Sequence, residues 1–362
     1  MSSAPTPLVD VIIPVHSTSR PVGRAVASVV TGGLGVGGAG GVRITVVCHN
    51  LDPEPVLAAI APEHRDLVTV LECRDGRRSA AGPRNLGLAT TDARYVSFLD
   101  SDDTLDPGAL ARWVELAEEH GSNAVVPWLT RSGGGHVRTP VTRPGKARDL
   151  DVVRDRVLYR TSAFGLVRTE TARALGLLFD GRHGTAEDQQ FALRLYVDGG
   201  RIDYARGRPG YIVWDDAGDR VTSDPRPLEQ EMAAFVDLAA SDWFRAHPLP
   251  LRRSFVVKVL RVHLFGHVDS RAGRWTTEDA VAAAGAVRAL LRSGPGAEEA
   301  MARADRDLLD LLLAGTTVTD RIRGAADRRR RFGRPATLFP RRLSRTFHRD
   351  GSLRFMAASL LA

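Results

Sequence analysis

YVSFLDSDD, residues 95–103, is an apolar run that ends in carboxylates. Tyr95, Val96, Phe98 and Leu99 read as a buried strand, and Asp100, Asp102 and Asp103 stand at its carboxyl end. Three neighbouring acids repel one another, so the cluster costs stability unless water, backbone donors, cations or a divalent metal offset it. A solvated turn is one answer. The other is a hard cation such as Mg²⁺ or Mn²⁺, which takes oxygen ligands and shares them with phosphates.

Upstream, VDVIIPV (9–15), VRITVVC (42–48) and LVTVLEC (67–73) read as three further strands. Helical patterns over Arg24–Thr31 and within SAAGPRNLGLATT, which is broken or started near Pro83, alternate with them. This alternation predicts an α/β domain with a mostly parallel, Rossmann-like sheet flanked by helices. Ligands of such sheets bind beyond the carboxyl ends of the strands, where Asp100 to Asp103 lie. Gly35, Gly37 and Gly40 have GxGxxG spacing, but their loop runs into a strand instead of following one and contains no Lys. A flexible connection is the expectation there.

Downstream, DPGALARWVELAEEH predicts a helix with Asp106 as N-cap and Pro107 in its first turn. That leaves the three acids of DSDD without a capping duty. In TAEDQQFALRLY, Thr185 is placed to cap a helix whose first turn holds Glu187 and Asp188, while Phe191, Leu193 and Leu195 supply apolar contacts. From about Pro227 the strand pattern gives way to helical segments.

The 362 residues, 43% hydrophobic and 26% charged, have the composition of a folded soluble protein. The net charge of +7 is concentrated between Asp320 and Arg354, where twelve Arg against three Asp give +9, leaving about −2 elsewhere. Three parts are expected: residues 1–225 as the α/β domain, 226–319 as a helical region, and 320–362 as a basic, partly amphipathic tail. Cys48 and Cys73 form no CxxC pair, which favours a reducing compartment and gives no pattern for structural zinc. The N-terminus lacks the basic start and long apolar core of a signal peptide. No stretch approaches the roughly 18 apolar residues of a membrane span.

VDVIIPVH, RNLGLA, FLDSDD and TAEDQQFALRLY, in this order and at these separations, resemble the family 2 glycosyltransferases, nucleotide-sugar enzymes of GT-A fold. The resemblance covers roughly residues 8–225. It implies that Pro14 and His16 line a nucleotide pocket, Arg84 supports the donor, Asp100 approaches the ribose or base, and Asp102 binds Mn²⁺ or Mg²⁺. By the same resemblance Asp188 is the general base and Glu187 its support. The cation would neutralise charge on the departing nucleotide diphosphate. One departure stands out: where family members often end the second strand in an acid that contacts the nucleobase, this chain has Cys48, His49 and Asn50. His49 or Asn50 is left to meet a base edge, with Asp75 replacing the acid from the next strand. Cys48 and His49, being adjacent, make a poor chelating pair.

Arg131 is a candidate for phosphate or acceptor, and Trp214 for a sugar ring or for packing. Arg220 and Thr222 are candidates for a donor-covering loop. The implied activity is metal-dependent, inverting transfer of a sugar from a nucleotide diphosphate, a UDP-sugar by preference, to a hydroxyl acceptor. Glycans, lipid-linked acceptors and polyol-phosphate polymers of the cell envelope are the acceptor classes. The tail, with Phe332, Phe339 and Phe347 among its arginines, is expected either to meet an anionic surface, a membrane face or a phosphate-rich acceptor polymer, or to be a solvated basic tail. The protein is expected in the cytoplasm, peripheral at the inner membrane face in the first of these cases. Nucleic acid is not the expected partner. The rival readings are a sugar-phosphate nucleotidyltransferase, whose glycine-rich basic loop is missing after the first strand, and a degenerate transferase domain acting as a binding or assembly module.

Overall fold

The computed structural model describes residues 6–38, 40–162, 164–216 and 226–361. Two compact units emerge: Met1–Thr139 with Gly145–Asp151 and Arg160–Asp224, and Pro140–Pro144 with Val152–Tyr159 and Pro225–Ala362. Arg220 and Thr222 lie outside the described residues.

Among the described residues the first unit holds ten strands: β1 (Val9–Val15), β2 (Val42–His49), β3 (Val68–Cys73), β4 (Tyr95–Phe98), β5 (Thr104–Leu105), β6 (Ala124–Pro127), β7 (Leu129–Arg131), β8 (Leu166–Arg168), β9 (Ile202–Ala205) and β10 (Tyr211–Val213). Seven form a sheet in the order β3-β2-β1-β4-β8-β6-β9, and β5, β10 and β7 form a smaller one. Only β8 runs antiparallel to its neighbours in the large sheet, so the expected mostly parallel α/β sheet is present, with helices against it. All seven residues of β1 are buried, as an inner parallel strand covered on both faces requires.

Helices cover the sheet with stripes of helical period. Val22, Ala25, Val26 and Val29 are the buried face of the helix Val22–Val30, and Leu110, Trp113, Val114 and Ala117 belong to that of Ala109–His120. The helix Ala81–Thr90 approaches β1 most closely at Gly87. A Cβ there would lie 2.7 Å from Ile12 Cγ2, so any larger residue would push the helix off the sheet.

Two capping expectations are corrected. The helix expected to begin at Asp106 starts at Ala109, after Gly108 in a left-handed conformation (φ 82°) and with no side-chain cap. Asp106 instead accepts from the Gly210 N–H (2.9 Å) and pairs with Arg208 (3.1 Å), because β10 passes beside it. The helix expected to be capped by Thr185 begins at Asp188, with Glu187 at the N-cap position and no side-chain cap bond. Ala186, between Thr185 and the N-cap position, is in a left-handed conformation at φ 59°. The glycine loop folds back on β2 through Gly37 N–H to Val42 O (2.9 Å) and Val42 N–H to Gly35 O (2.8 Å).

In the second unit the main helices are Leu228–Ala240, Leu249–Lys258, Phe265–Arg271, Thr277–Ser293, Arg303–Leu313 and Thr319–Arg330, with π-helical turns over Val259–Leu264. Thr276 and Asp279 close a capping box at the start of Thr277–Ser293. Residues 320–362 lie within this unit. Ile322, Ala325 and Ala326 are buried, and Arg329 turns inward from the run of four arginines. Its guanidinium meets Asp269 and Asp305 (3.1 Å each) and covers the Phe265 ring at 4.7 Å. Among the described residues no helix is long and apolar enough to cross a membrane.

Candidate active site

Parallel strands β1 to β4 all deliver their carboxyl ends to one edge of the sheet. There a cleft of about 450 Å³ is lined by Pro14, His16, His49, Arg84, Asp100, Asp102 and Glu187, together with Arg20, Asn50, Arg77, Arg78 and Asp103. The expected site residues are thus brought together. Asp75 reaches this lining through His49, whose Nε2 is 2.8 Å from its carboxylate. Asp188 follows Glu187 at the first position of the helix Asp188–Asp198.

The two acidic motifs meet through Arg84, which donates from Nη2 to Asp100 Oδ1 (2.7 Å) and from Nη1 to Glu187 Oε1 (2.8 Å). Burial alone would lower the pKa of this guanidinium, but the charges of Asp100, Glu187 and Asp188 raise it above the ordinary arginine value. Local packing explains the meeting. Asn85, the next residue, exchanges two bonds with the backbone of Phe179, Nδ2 donating to its carbonyl (2.9 Å) and Oδ1 accepting its N–H (2.8 Å). Phe179 stacks on Phe191 (centroids 4.3 Å apart) and meets Phe98 edge-on (4.9 Å). An aromatic cluster therefore ties β4, the loop before Glu187 and the helix after it into one body under the cleft. Gln189 Nε2 donates to Asp188 Oδ1 (3.0 Å) and to Thr161 Oγ1 (2.7 Å), which orients the Asp188 carboxylate.

The acids of DSDD have different surroundings. Asp102 is paired with Arg20 at 2.5 Å, both side chains being nearly buried. Arg24 donates to the Asp102 carbonyl (2.6 Å), to Asp216 (2.6 Å) and packs 3.9 Å over the Trp214 ring. Asp103 accepts from Tyr211 Oη (2.8 Å) and the Trp214 N–H (2.9 Å). Burial first, and the Asp100 charge second, push its carboxyl up to about 7. Trp214 has a packing role here, its Nε1 donating to Thr104 Oγ1 (2.9 Å). Arg131 forms an exposed pair with Asp215 (3.2 Å).

Asp100 and Asp102 offer oxygen only, the donor chemistry a hard cation takes, and both line the cleft. Asp102 is paired with Arg20 and Asp100 with Arg84, so a cation there would share these carboxylates with arginines, while Asp103 is committed to Tyr211 and Trp214. Among the described residues the cluster that gathers three metal-ligating side chains lies elsewhere, at His49, Cys73 and Asp75.

Arg20, Arg24, Arg77 and Arg78 were not singled out in the sequence. A signal existed for two of them. Arg20 and Arg24 flank the start of the helix Val22–Val30, whose first turn has no acid. Cations there oppose the helix dipole and call for a carboxylate from elsewhere.

Residues 10–176 match the profile of glycosyl transferase family 2. Poly(ribitol-phosphate) beta-N-acetylglucosaminyltransferase TarP of Staphylococcus aureus (strain N315) is 25% identical over 209 residues, 58% of this chain and 63% of that protein. Poly(ribitol-phosphate) beta-glucosyltransferase of Bacillus spizizenii is 23% identical over 56% of this chain and 31% of that protein. The chain thus spans less than two thirds of these relatives. The crystal structure of S. aureus TarS 1-349 in complex with UDP-GlcNAc superposes with a TM-score of 0.72 at 17% identity, covering 88% of this chain and 90% of that one, a likeness of fold.

Proposed function

We propose that the chain, whose residues 10–176 match glycosyl transferase family 2, transfers a sugar, with inversion, from a nucleotide diphosphate to a hydroxyl of a cell-envelope acceptor. The observation that carries this reading is the Arg84 bridge between Asp100 and Glu187, which sets the donor-side acid of one motif beside the base-bearing turn of the other. Pro14, His16, His49 and Asp75 would hold the nucleoside, with UDP the donor nucleotide. Arg20, Arg77 and Arg78 would face its diphosphate, since guanidinium groups match phosphate geometry.

Asp102, with Asp100 beside it, would hold a divalent cation, Mn²⁺ or Mg²⁺, which supplies Lewis-acid stabilisation of the departing diphosphate. The chain's own chemistry is proton removal. Asp188, oriented by Gln189, takes the proton of the acceptor hydroxyl as that oxygen attacks the anomeric carbon. Glu187 is held by Arg84 and keeps Asp188 in place rather than serving as a second nucleophile. A single displacement inverts the stereocentre.

For the acceptor we favour a polyol-phosphate polymer. Relatives named for poly(ribitol phosphate) support this, and so does the exposed arginine face of residues 321–345 in the second unit. The same segment exposes Phe332 and Leu343, Phe347 is exposed just after it, and the chain's end exposes Leu360 and Leu361, which suits peripheral contact with an anionic membrane. Transfer from UDP-sugars to a poly(ribitol phosphate) acceptor, with the product's anomeric configuration read by NMR, tests the reading. Retention of configuration, or nucleotide-sugar synthesis from a sugar phosphate and a nucleoside triphosphate, would overturn it.

A further inference from the structure

His49 and Cys73 are register partners on adjacent parallel strands, β2 and β3, so their side chains emerge side by side on one face of the sheet. The strands are pinned at this level by the Asn50 N–H donating to Cys73 O (2.8 Å). Asp75 follows in the next loop. One ligand atom from each of His49, Cys73 and Asp75 lies within 4.8 Å of the others.

The surroundings are built. Asn50 (φ 56°) accepts from the Gly76 N–H (3.0 Å) and donates to Arg77 O (3.1 Å), which closes the Asp75–Arg77 loop over the strand ends. Asp75 Oδ1 accepts from the Arg77 N–H (2.9 Å). Its other oxygen occupies the space over Gly82, where a Cβ would come within 2.1 Å of it and 3.3 Å of Cys73 Sγ. Only glycine at position 82 leaves this pocket open. His49 is 4% exposed, whereas solvent reaches the Asp75 carboxylate, so an ion has a way in.

We propose that His49, Cys73 and Asp75 form a zinc site on the wall of the donor cleft, binding Zn²⁺ through a ring nitrogen, the thiolate sulfur and a carboxylate oxygen, with water as the fourth ligand. A nitrogen, sulfur and oxygen set suits zinc and is too soft for Mg²⁺. Metal–ligand bonds of about 2.0–2.3 Å place tetrahedral ligand atoms roughly 3.4–3.8 Å apart. From the observed spacing, His49 Nε2 and the Asp75 oxygen, 2.8 Å apart, open by about 0.5 Å as the ion replaces their hydrogen bond, and any longer separation closes by at most about 1 Å through side-chain rotation. On binding, Cys73 releases its thiol proton to solvent, and His49 stays neutral with its proton on the ring nitrogen that does not face the metal. His49 and Asp75 are also the residues proposed to hold the nucleoside, so zinc and nucleoside would meet at the same side chains, and the metal site is tested by metal binding alone, apart from the transfer reaction.

The test is titration of the metal-stripped full-length chain with Co²⁺, followed by displacement with Zn²⁺. One equivalent should develop a thiolate-to-cobalt charge-transfer band that Zn²⁺ abolishes. Cys73→Ser should remove the band, Asp75→Asn should weaken binding by roughly tenfold or more, and Cys48→Ser should change neither. Circular dichroism of both variants checks that the fold persists. Absence of a saturable band, a band that survives Cys73→Ser, or one lost in Cys48→Ser would overturn the proposal. Mn²⁺ binding followed by electron paramagnetic resonance should be unchanged in Cys73→Ser, which separates this site from the one at Asp102.

Discussion

Arg84 and Glu187, 103 residues apart in the chain, are joined by a 2.8 Å charge-assisted hydrogen bond at the floor of the cleft. The second arm of the same guanidinium holds Asp100. Arg84→Lys keeps the charge but offers one point donor for two carboxylates. Transfer should fall by roughly 10² with the donor intact, and Arg84→Met should lose about the same or more. Steady-state rates with matched circular dichroism spectra check this; near-normal turnover in Arg84→Lys would remove the bridge from the mechanism.

Asp188→Asn retains shape and can still accept from Gln189. Donor affinity should persist while transfer falls by roughly 10² or more, since the amide cannot take a proton. Calorimetric donor binding alongside product formation separates the two effects. Equal turnover would leave Asp188 as a helix-start residue only.

Asp102→Ala removes the oxygen donor proposed for the cation and leaves Arg20, itself buried, without its 2.5 Å partner. Metal dependence of UDP binding should disappear, and thermal stability should drop. Asp102→Asn, which spares the packing, should reproduce the loss of metal dependence with a smaller stability change. Unchanged Mn²⁺ dependence in both variants would place the cation elsewhere.

Residues 320–362 contribute buried side chains, so truncation at Thr319 would remove Ile322, Ala325 and Ala326 from the packing and uncover Asp269 and Asp305, the partners of Arg329. Surface substitution is the cleaner experiment. Serine at Arg321, Arg328, Arg331, Phe332, Arg334 and Phe347 together should reduce flotation on anionic liposomes at least roughly tenfold at 0.1 M salt, with about 1 kcal/mol of attraction lost per arginine. Melting should stay within a few degrees of the parent, because these residues are exposed. Equal flotation would exclude this face as the membrane contact.

His263 is half-buried with its Nε2 shut off from solvent, and desolvation foremost, then Lys258 and His267, hold its pKa well below the ordinary value of 6.5. As pH falls through 6.5 the unfolded chain therefore binds a proton that the folded one refuses, and stability decreases. His267 and His348 are lowered in the same direction. Urea midpoints between pH 7.5 and 5.5 should show this fall, with a slope of up to about 1.4 kcal/mol per pH unit for each such histidine. His263→Phe should flatten the profile; an unchanged slope would assign it to the other two.

The first four strands were legible because each is an apolar run long enough to show its pattern, and the four motifs stand where strand ends and helix starts put them. Strands β5 to β10 were not. Four of them span only two or three residues, and all are defined by partners distant in sequence, such as Tyr211 opposite Leu105. The two capping expectations failed for a related reason. Asp106 and Thr185 have the right local chemistry, but a passing strand claims the first and a left-handed Ala186 follows the second.

The sequence by itself determined the α/β alternation, the edge of the sheet where the site forms, and the identity of the acids that occupy it, since all three follow from local periodicity and from side chains at strand ends. Tertiary structure decided how those acids are shared. Asp102 goes to Arg20, Asp103 to Tyr211 and Trp214, and Asp100 with Glu187 to Arg84. The physical reason is that a charge removed from water takes whichever partner the packing brings within hydrogen-bond reach. Here that choice depends on the contacts of Phe98, Phe179 and Phe191 and on the Gly87 approach to Ile12, none of which a single stretch of chain encodes.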